Sequence, residues 1–382
     1  MEIDRLADEW GPEKIIEIYD PKLMLKGILV IDNTALGRGK GGLRMTPTVT
    51  VKEIFRLART MTWKCALAEL PFGGAKSGII AHAEDLEKGR KERLIRAFSK
   101  ALKPVVPSLY VAGPDVNTGE EEMKWFAEAN GSRMACTGKP WYMCVKPGEK
   151  CGIPHEYGST GFGVAQSTLM AAEHVGLDIE NTTVAIEGFG NVGTFTARFL
   201  SEYGSKIVAV SDSKGVIHNL DGLNVKKLLE VKRKTGSVIN YKPGEVLAGK
   251  ELFGLLVDIL IPAALSDSIN KNNLNEIKAK IVVEASNIPM TPEIEEILHR
   301  RRILVVPDMV ANAGGVISSY AEFKGYNPQD MFRILERKMK KNVRMVLDGA
   351  KVKRVKPRDV AIEIAQTRIK KAMAKKSRIG LD

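Results

Sequence analysis

The sequence predicts a two-domain α/β protein, an amino-terminal α/β unit followed by a doubly wound parallel sheet. Three observations lead there. At 382 residues and 44% hydrophobic content the chain exceeds what one core ordinarily organises. Residues 130 to 158 carry Gly131, Gly138, Pro140, Pro147 and Gly148 without sustained periodicity, which marks a connection. From Val184 onward, short apolar runs alternate with helical stretches, the pattern of strands joined by crossover helices. The expected domains are 1–135 and 159–344, joined by 136–158, with a helix over about 345–382 packing back on the first domain.

Lys and Arg total 58 against 46 acids, a net charge of +12, which suits nucleic acid, a membrane surface or an anionic substrate. Much of the excess lies near the C-terminus, where Val360, Ile362, Ile369 and Met373 mark a helix whose other face is basic. A solvated helical face accounts for that charge, so no nucleic-acid partner is expected. The N-terminal residues MEIDRLADEW are charged and do not read as a signal peptide. The longest apolar run is interrupted by Asp258 and Pro262, so no membrane span and a cytoplasmic location are expected. Four cysteines without a C-x-x-C pair read as reduced thiols; Cys136, Cys144, Cys151 and His155 cluster too irregularly for a metal site, and no metal is expected.

Taken in order, the chain opens with a short helix expected over Pro12–Tyr19 and then an apolar strand, LKGILVID. The next stretch, GRGKGGLRMTPT, offers Arg38, Lys40 and Arg44, with Lys52 just beyond, as either a flexible loop or a carboxylate or phosphate contact. Thr50, with Glu53 three residues on, has capping-box spacing and starts a helix whose apolar stripe runs from Val51 to Ala68. Lys64 lies on the flank of that stripe near the helix end, where it also complements the dipole. After a proline and two glycines, Lys76 enters a strand in LPFGGAKSG. The phosphate-loop pattern G-x-x-x-x-G-K-[ST] fails at Leu70 and Ala75, so the segment is either a tight turn with a solvated lysine or an anion site of another kind. A charged helix over Leu86–Leu102 leads to an apolar run ending in Ala-Gly-Pro, with Asp115 next. Thr118 is the better-placed cap for the following helix, which leaves Asp115 for other work.

The second domain starts with a helix over Gly161–Val175. TVAIEGFGNVG is a strand running into G-x-G-x-x-G at Gly188, Gly190 and Gly193, with Phe189, Asn191 and Val192 between them, and a helix follows. The next strand ends at Asp212, nineteen residues past the third glycine. Strand, glycines, helix, strand and acid together form the Rossmann fingerprint for a dinucleotide: a tight turn, a close backbone approach to pyrophosphate and an acid for the ribose hydroxyls. Ser213 and Lys214 follow at once and could accept a 2′-phosphate, so NAD and NADP both stand as cofactors. Further strands at LLVDILIP, KIVVEASN and ILVVPD complete five parallel runs. Asn287 and Asn312 follow two of them at the carboxyl ends, where ligands of open α/β sheets lie.

The motifs KGGLRMTPT, LPFGGAKSG, PDVNT, GFGNVG with AVSDSKG, DILIPAAL and VPDMVANAGGVISSY, in this order, resemble the glutamate/leucine/phenylalanine/valine dehydrogenase family over residues 25–345. The resemblance is strongest to the branch acting on glutamate. It implies Lys76 and Asp115 as catalytic, Lys64 on the substrate α-carboxylate, Lys40 and Ser319 on the side-chain carboxylate, and Thr160 near the nicotinamide amide. It further implies reversible oxidative deamination of L-glutamate to 2-oxoglutarate and ammonia, and a homo-hexamer. Crowded, buried lysines would lower the Lys76 pKa, and Asp115 could then shuttle protons. The segment at 141–159 departs from the family pattern, which keeps a branched or aromatic amino acid as the alternative substrate; a catalytically silent regulatory or nucleic-acid-binding relative is the other alternative.

Overall fold

The computed structural model describes residues 3–143, 152–154 and 157–378. Cys144, Cys151, His155 and most of the 141–159 departure lie outside the described residues. The chain divides into two compact units, Met1–Tyr157 with Val316–Ile334 and Ile362–Asp382, and Gly158–Gly315 with Leu335–Ala361.

The first unit begins with α1 (Ile3–Leu6), β1 (Lys14–Asp20) and β2 (Leu25–Asn33), then β3 (Gly39–Lys40) and β4 (Leu43–Thr46). The helix expected over Pro12–Tyr19 is therefore a strand. β1 pairs antiparallel with β2 from Lys14–Ile31 to Asp20–Leu25, and pairing with that buried strand outweighs any helical tendency of so short a stretch. α2 (Val51–Leu67) starts as expected, with Thr50 Oγ1 accepting from the Glu53 amide. β5 (Gly73–Ile80), α3 (Lys88–Ala101), β6 (Tyr110–Val111) and α4 (Glu120–Asn130) follow. The sheet order is β1-β2-β5-β3-β6, with β4 also on β5.

β5 is the centre of this unit. Val30 of β2 faces Lys76 across the antiparallel pairing, and β3 and β4 run parallel to β5. α2 lies directly on it: a Cβ at Gly74 would fall 2.3 Å from the Thr62 backbone nitrogen, so only glycine allows the approach. Arg59 and Thr62 of α2 both bond the buried Asp32 of β2, which fixes the helix along the sheet. The other face of the sheet is sealed by Phe98, Phe126, Met123 and Tyr110.

α4 is not capped by Thr118. Its N-cap is Gly119, whose amide is taken by Glu122 reaching back at 2.7 Å. Thr118 instead accepts from the Asp115 amide at 2.9 Å and donates to the Leu43 carbonyl at 2.6 Å, so it ties the Asp115 turn to β4.

The second unit runs α5 (Ser159–Val175), β7 (Thr183–Glu187), α6 (Asn191–Glu202), β8 (Lys206–Asp212), β9 (Gly215–His218), α7 (Val225–Thr235), β10 (Glu245–Leu247), β11 (Ile259–Pro262), β12 (Ile281–Val283), α8 (Pro292–Arg300), β13 (Leu304–Val306) and α9 (Asp308–Ala311). Then come α10 (Gly314–Phe323), α11 (Pro328–Lys353) and α12 (Pro357–Arg378). The sheet order is β10-β9-β8-β7-β11-β12-β13. The five expected runs are parallel neighbours, while β9 and β10 add an antiparallel edge. β7 lies between β8, its successor, and β11, which places the topological switch point beside the glycine loop. Arg358 at the start of α12 bonds the buried Glu284, Glu295 and Asp308 and so holds β12, α8 and α9 together.

Candidate active site

In the first unit, β5 and the turn after β6 bring Lys76 and Asp115 together. Lys76 Nζ lies 2.8 Å from Asp115 Oδ2, with both side chains largely removed from solvent. Arg44 of β4 donates through Nε to the same oxygen at 3.0 Å and pairs with Glu53 through its other arm. Burial lowers the Lys76 pKa; Asp115 opposes the shift and Arg44 adds to it. The principal neighbouring cation is thus Arg44, where lysines were expected. Burial alone would raise the Asp115 pKa, but Lys76 and Arg44 outweigh it and hold the carboxyl well below its usual range.

Lys40 is buried, and its ammonium donates to the Ala112 carbonyl at 2.7 Å. Burial lowers its pKa to about 8, against the pull of nearby Cys136 and Glu322. Lys64 is likewise buried, at the end of α2. Ser319 of α10 accepts from Thr137 Oγ1 at 3.1 Å. Lys40, Lys64, Lys76, Asp115 and Ser319, the catalytic and substrate residues implied by the resemblance, therefore all belong to one unit. Arg44 and Thr137 join them. Arg44 stood in the sequence as one cation of a basic loop, while nothing near Thr137 signals its proximity to Ser319.

The second unit carries the residues expected at the cofactor. Gly188 is left-handed at φ 88°, and a Cβ at Gly193 would fall 1.9 Å from the Gly188 carbonyl oxygen. A Cβ at Gly190 would meet nothing within 4 Å. One glycine makes the turn, one seats α6 on the strand, and one leaves open backbone before the first turn of α6. Asn191, Val192 and Gly193 form that turn, whose free amides suit a phosphate. Phe189 is buried, its carbonyl held by Lys232 Nζ at 2.6 Å. Asn312 donates to the Ala285 and Ser286 carbonyls and to Asn287 Oδ1, each at 3.2 Å; its own Oδ1 is buried with no partner among the described residues. Thr160 lies in the first turn of α5, where a Cβ on Gly315 would come within 2.8 Å of its hydroxyl. The open glycine backbone and the orphaned Asn312 acceptor both fit a dinucleotide with a carboxamide.

Asp212 is heavily engaged. Its oxygens accept from the Val238 amide at 2.8 Å, the Lys214 amide at 3.0 Å and Ser237 Oγ at 3.0 Å, and Lys232 Nζ lies 3.7 Å away. Burial raises its pKa, but these donors leave it lowered overall. Ser213 follows in the exposed turn to β9. Lys232 was absent from the sequence expectations because it lies on α7, remote in the chain from the fingerprint.

Among the described residues, no group of His, Cys, Asp and Glu is arranged to hold a metal ion, and no helix is long and apolar enough to cross a membrane.

Comparison with known proteins bears on the family and the fold. The Glutamate/Leucine/Phenylalanine/Valine dehydrogenase model matches residues 151–377, and the Glu/Leu/Phe/Val dehydrogenase dimerisation domain matches 12–131. The chain is 44% identical over 299 residues to a glutamate dehydrogenase of Thermotoga maritima, covering 78% of this chain and 72% of that protein. It is 40% identical to an NADP-specific glutamate dehydrogenase of Saccharolobus shibatae, covering 85% and 78% respectively. The fold is similar to that of the hetero-hexameric glutamate dehydrogenase of Thermus thermophilus in its leucine-bound form, with TM-score 0.86, 28% identity, and 97% and 94% of the two chains covered. The chain belongs to the glutamate/leucine/phenylalanine/valine dehydrogenase family.

Proposed function

We propose that this chain catalyses the reversible, NAD(P)-dependent oxidative deamination of L-glutamate to 2-oxoglutarate and ammonia. The observation that carries the reading is the buried pair of Lys76 Nζ and Asp115 Oδ2 at 2.8 Å, in the same unit as buried Lys40 and Lys64. Lys64 binds the α-carboxylate and Lys40 with Ser319 the side-chain carboxylate, two cations for the two anionic ends of one substrate. Lys76, its basicity reduced by burial and by Arg44, holds and deprotonates the attacking water. Asp115, ionised between Lys76 and Arg44, carries protons to and from the nitrogen. When bound, the nicotinamide ring takes or gives hydride at the substrate α-carbon. Gly188, Phe189, Gly190, Asn191, Val192 and Gly193 hold the pyrophosphate, and Thr160, Asn287 and Asn312 position the nicotinamide end.

At the adenosine end, Asp212 already accepts three internal hydrogen bonds and has Lys232 beside it. That engagement weakens its repulsion of a 2′-phosphate, while Lys232, Lys214 and Ser213 supply a cationic, hydrogen-bonding rim. NADP(H) is therefore accepted alongside NAD(H). The similarity to the hetero-hexameric Thermus thermophilus glutamate dehydrogenase supports a hexamer, here of identical chains, which light scattering on the purified protein tests.

Assay of the purified protein with 2-oxoglutarate, ammonia and each reduced cofactor tests the activity. Turnover is expected with both cofactors; activity confined to a branched or aromatic 2-oxo acid would overturn the glutamate reading.

A further inference from the structure

Behind Ser319 lies an ion pair to which the reaction gives no direct task. Lys139 Nζ is 2.6 Å from Glu322 Oε1, and each side chain is only 3% exposed. Lys139 also donates to the Cys136 carbonyl at 2.5 Å. The second Glu322 oxygen accepts from the Gly138 amide at 2.7 Å and the Ile153 amide at 3.0 Å. One carboxylate thus collects an ammonium and two backbone donors, and it clamps residues 136–139 and 153 to α10.

Placing both charges out of water is costly, and a well-packed apolar pair of similar size is often as stable. Stability therefore gives a weak reason for the pair, whereas its connections give a specific one. Ser319 and Glu322 are one turn apart on α10, on the same face. Within the clamped segment, Thr137 donates to Ser319, and its amide donates to the Ala112 carbonyl at 3.0 Å. That same carbonyl takes the Lys40 ammonium at 2.7 Å. From Glu322, short polar contacts reach both Ser319 and the oxygen that orients Lys40. These are the two groups proposed to hold the second carboxylate of the substrate.

We propose that Lys139 and Glu322 are positioning residues that fix the spacing of Lys40 and Ser319, and so set the preference for a dicarboxylic 2-oxo acid over a monocarboxylic one. This inference rests on the glutamate reading above. The pair touches no reacting atom, so its loss acts on the affinity for one end of the substrate and leaves the chemical step intact.

The test is steady-state kinetics of Glu322→Gln and Lys139→Met with 2-oxoglutarate and with 2-oxohexanoate, which lacks the second carboxylate. Thermal unfolding and cofactor affinity are measured in parallel. Glu322→Gln is expected to raise KM for 2-oxoglutarate by about tenfold, the loss of one charge-assisted contact, with kcat, cofactor affinity and kcat/KM for 2-oxohexanoate little changed. Should either single variant fail to fold for want of its partner charge, Lys139→Met/Glu322→Gln removes both charges, and the same KM shift is expected in a folded protein. An unchanged KM for 2-oxoglutarate, or equal losses with both oxo acids and the cofactor, would overturn the proposal. Wild-type protein that does not turn over 2-oxoglutarate at all would instead overturn the glutamate reading, so the two failures are distinct.

Discussion

Asp115 Oδ2 is shared by two cations, Lys76 Nζ at 2.8 Å and Arg44 Nε at 3.0 Å, so the proposed base and its proton shuttle are tuned by a third side chain that need not touch substrate. Arg44→Met removes a like charge from Lys76 and an opposite charge from Asp115. Both pKa values are expected to rise, Lys76 because a repulsion is lost and Asp115 because an attraction is lost. The pH profile of kcat/KM checks this: the limb belonging to Lys76 should move to higher pH, and an unmoved profile would remove Arg44 from the tuning.

Replacing Asp115 by Asn separates proton transfer from binding. The amide keeps the size and one acceptor but cannot relay a proton. The kcat is expected to fall by about 10²–10⁴-fold, the usual range for one general acid–base group, while cofactor affinity stays near wild type. Single-turnover measurement of hydride transfer provides the check. A fall of less than about tenfold, within a unit factor or so of ordinary positional effects, would take proton transfer away from Asp115.

These residues show why parts of the site were legible in the sequence and others were not. The glycine fingerprint can be read because each requirement is local: a left-handed turn at Gly188 and contact between Gly193 and the Gly188 carbonyl five positions back. Lys76 and Asp115 were identified by motif, yet their pairing depends on how the segment after β6 folds beside β5. Arg44 reaches Asp115 because β4 runs parallel to β5, an adjacency no spacing rule contains. Thr137 and Lys232 were missed for the same reason, since their partners Ser319 and Phe189 lie far away in sequence. At β1 and Thr118 local rules gave the wrong element and the wrong cap, because a partner outside the segment, the next strand β2 in one case and the distant Leu43 carbonyl in the other, competed successfully.

Lys40 should give the dicarboxylate preference a pH dependence. Burial puts its pKa at about 8, below the usual lysine value, so it loses its charge as pH rises through that point. In the free protein the cation for the second carboxylate is then absent. The kcat/KM for 2-oxoglutarate is expected to fall above about pH 8, with a much smaller fall for 2-oxohexanoate, when both are measured over the same pH series. Parallel curves for the two oxo acids would contradict the role given to Lys40.

The fingerprint glycines should fail in different ways. A Cβ at Gly193 would lie 1.9 Å from a backbone oxygen, which cannot be relieved by a rotamer change, so Gly193→Ala is expected to destabilise the second unit. A Cβ at Gly190 meets nothing within 4 Å, so Gly190→Ala should unfold like wild type and lose cofactor affinity, because the methyl group occupies the approach to the pyrophosphate. Thermal unfolding with and without cofactor distinguishes the two: ligand-induced stabilisation should vanish in Gly190→Ala while its unliganded midpoint is retained.

Lys232 provides the sharpest test of cofactor choice. Its ammonium bonds the Phe189 carbonyl of the glycine loop at 2.6 Å and stands 3.7 Å from Asp212, so it joins the loop to the end of β8 and is partly exposed there. Asp212 in turn is bound by the Val238, Lys214 and Ser237 donors, which makes it a fastener of the β8 turn more than a free acceptor for a ribose hydroxyl. Lys232→Met should therefore weaken NADPH by about tenfold, the worth of one phosphate ion pair at a part-exposed site, and weaken NADH much less. Asp212→Asn, whose amide oxygen still accepts from one of the two backbone donors, should leave NADH affinity within about threefold of wild type, since a carboxylate engaged internally contributes little to the ligand. Fluorescence titration of both cofactors against both variants decides the matter: a selective loss of NADH in Asp212→Asn would return Asp212 to the ribose, and equal affinities for NADPH in wild type and Lys232→Met would remove Lys232 from the phosphate.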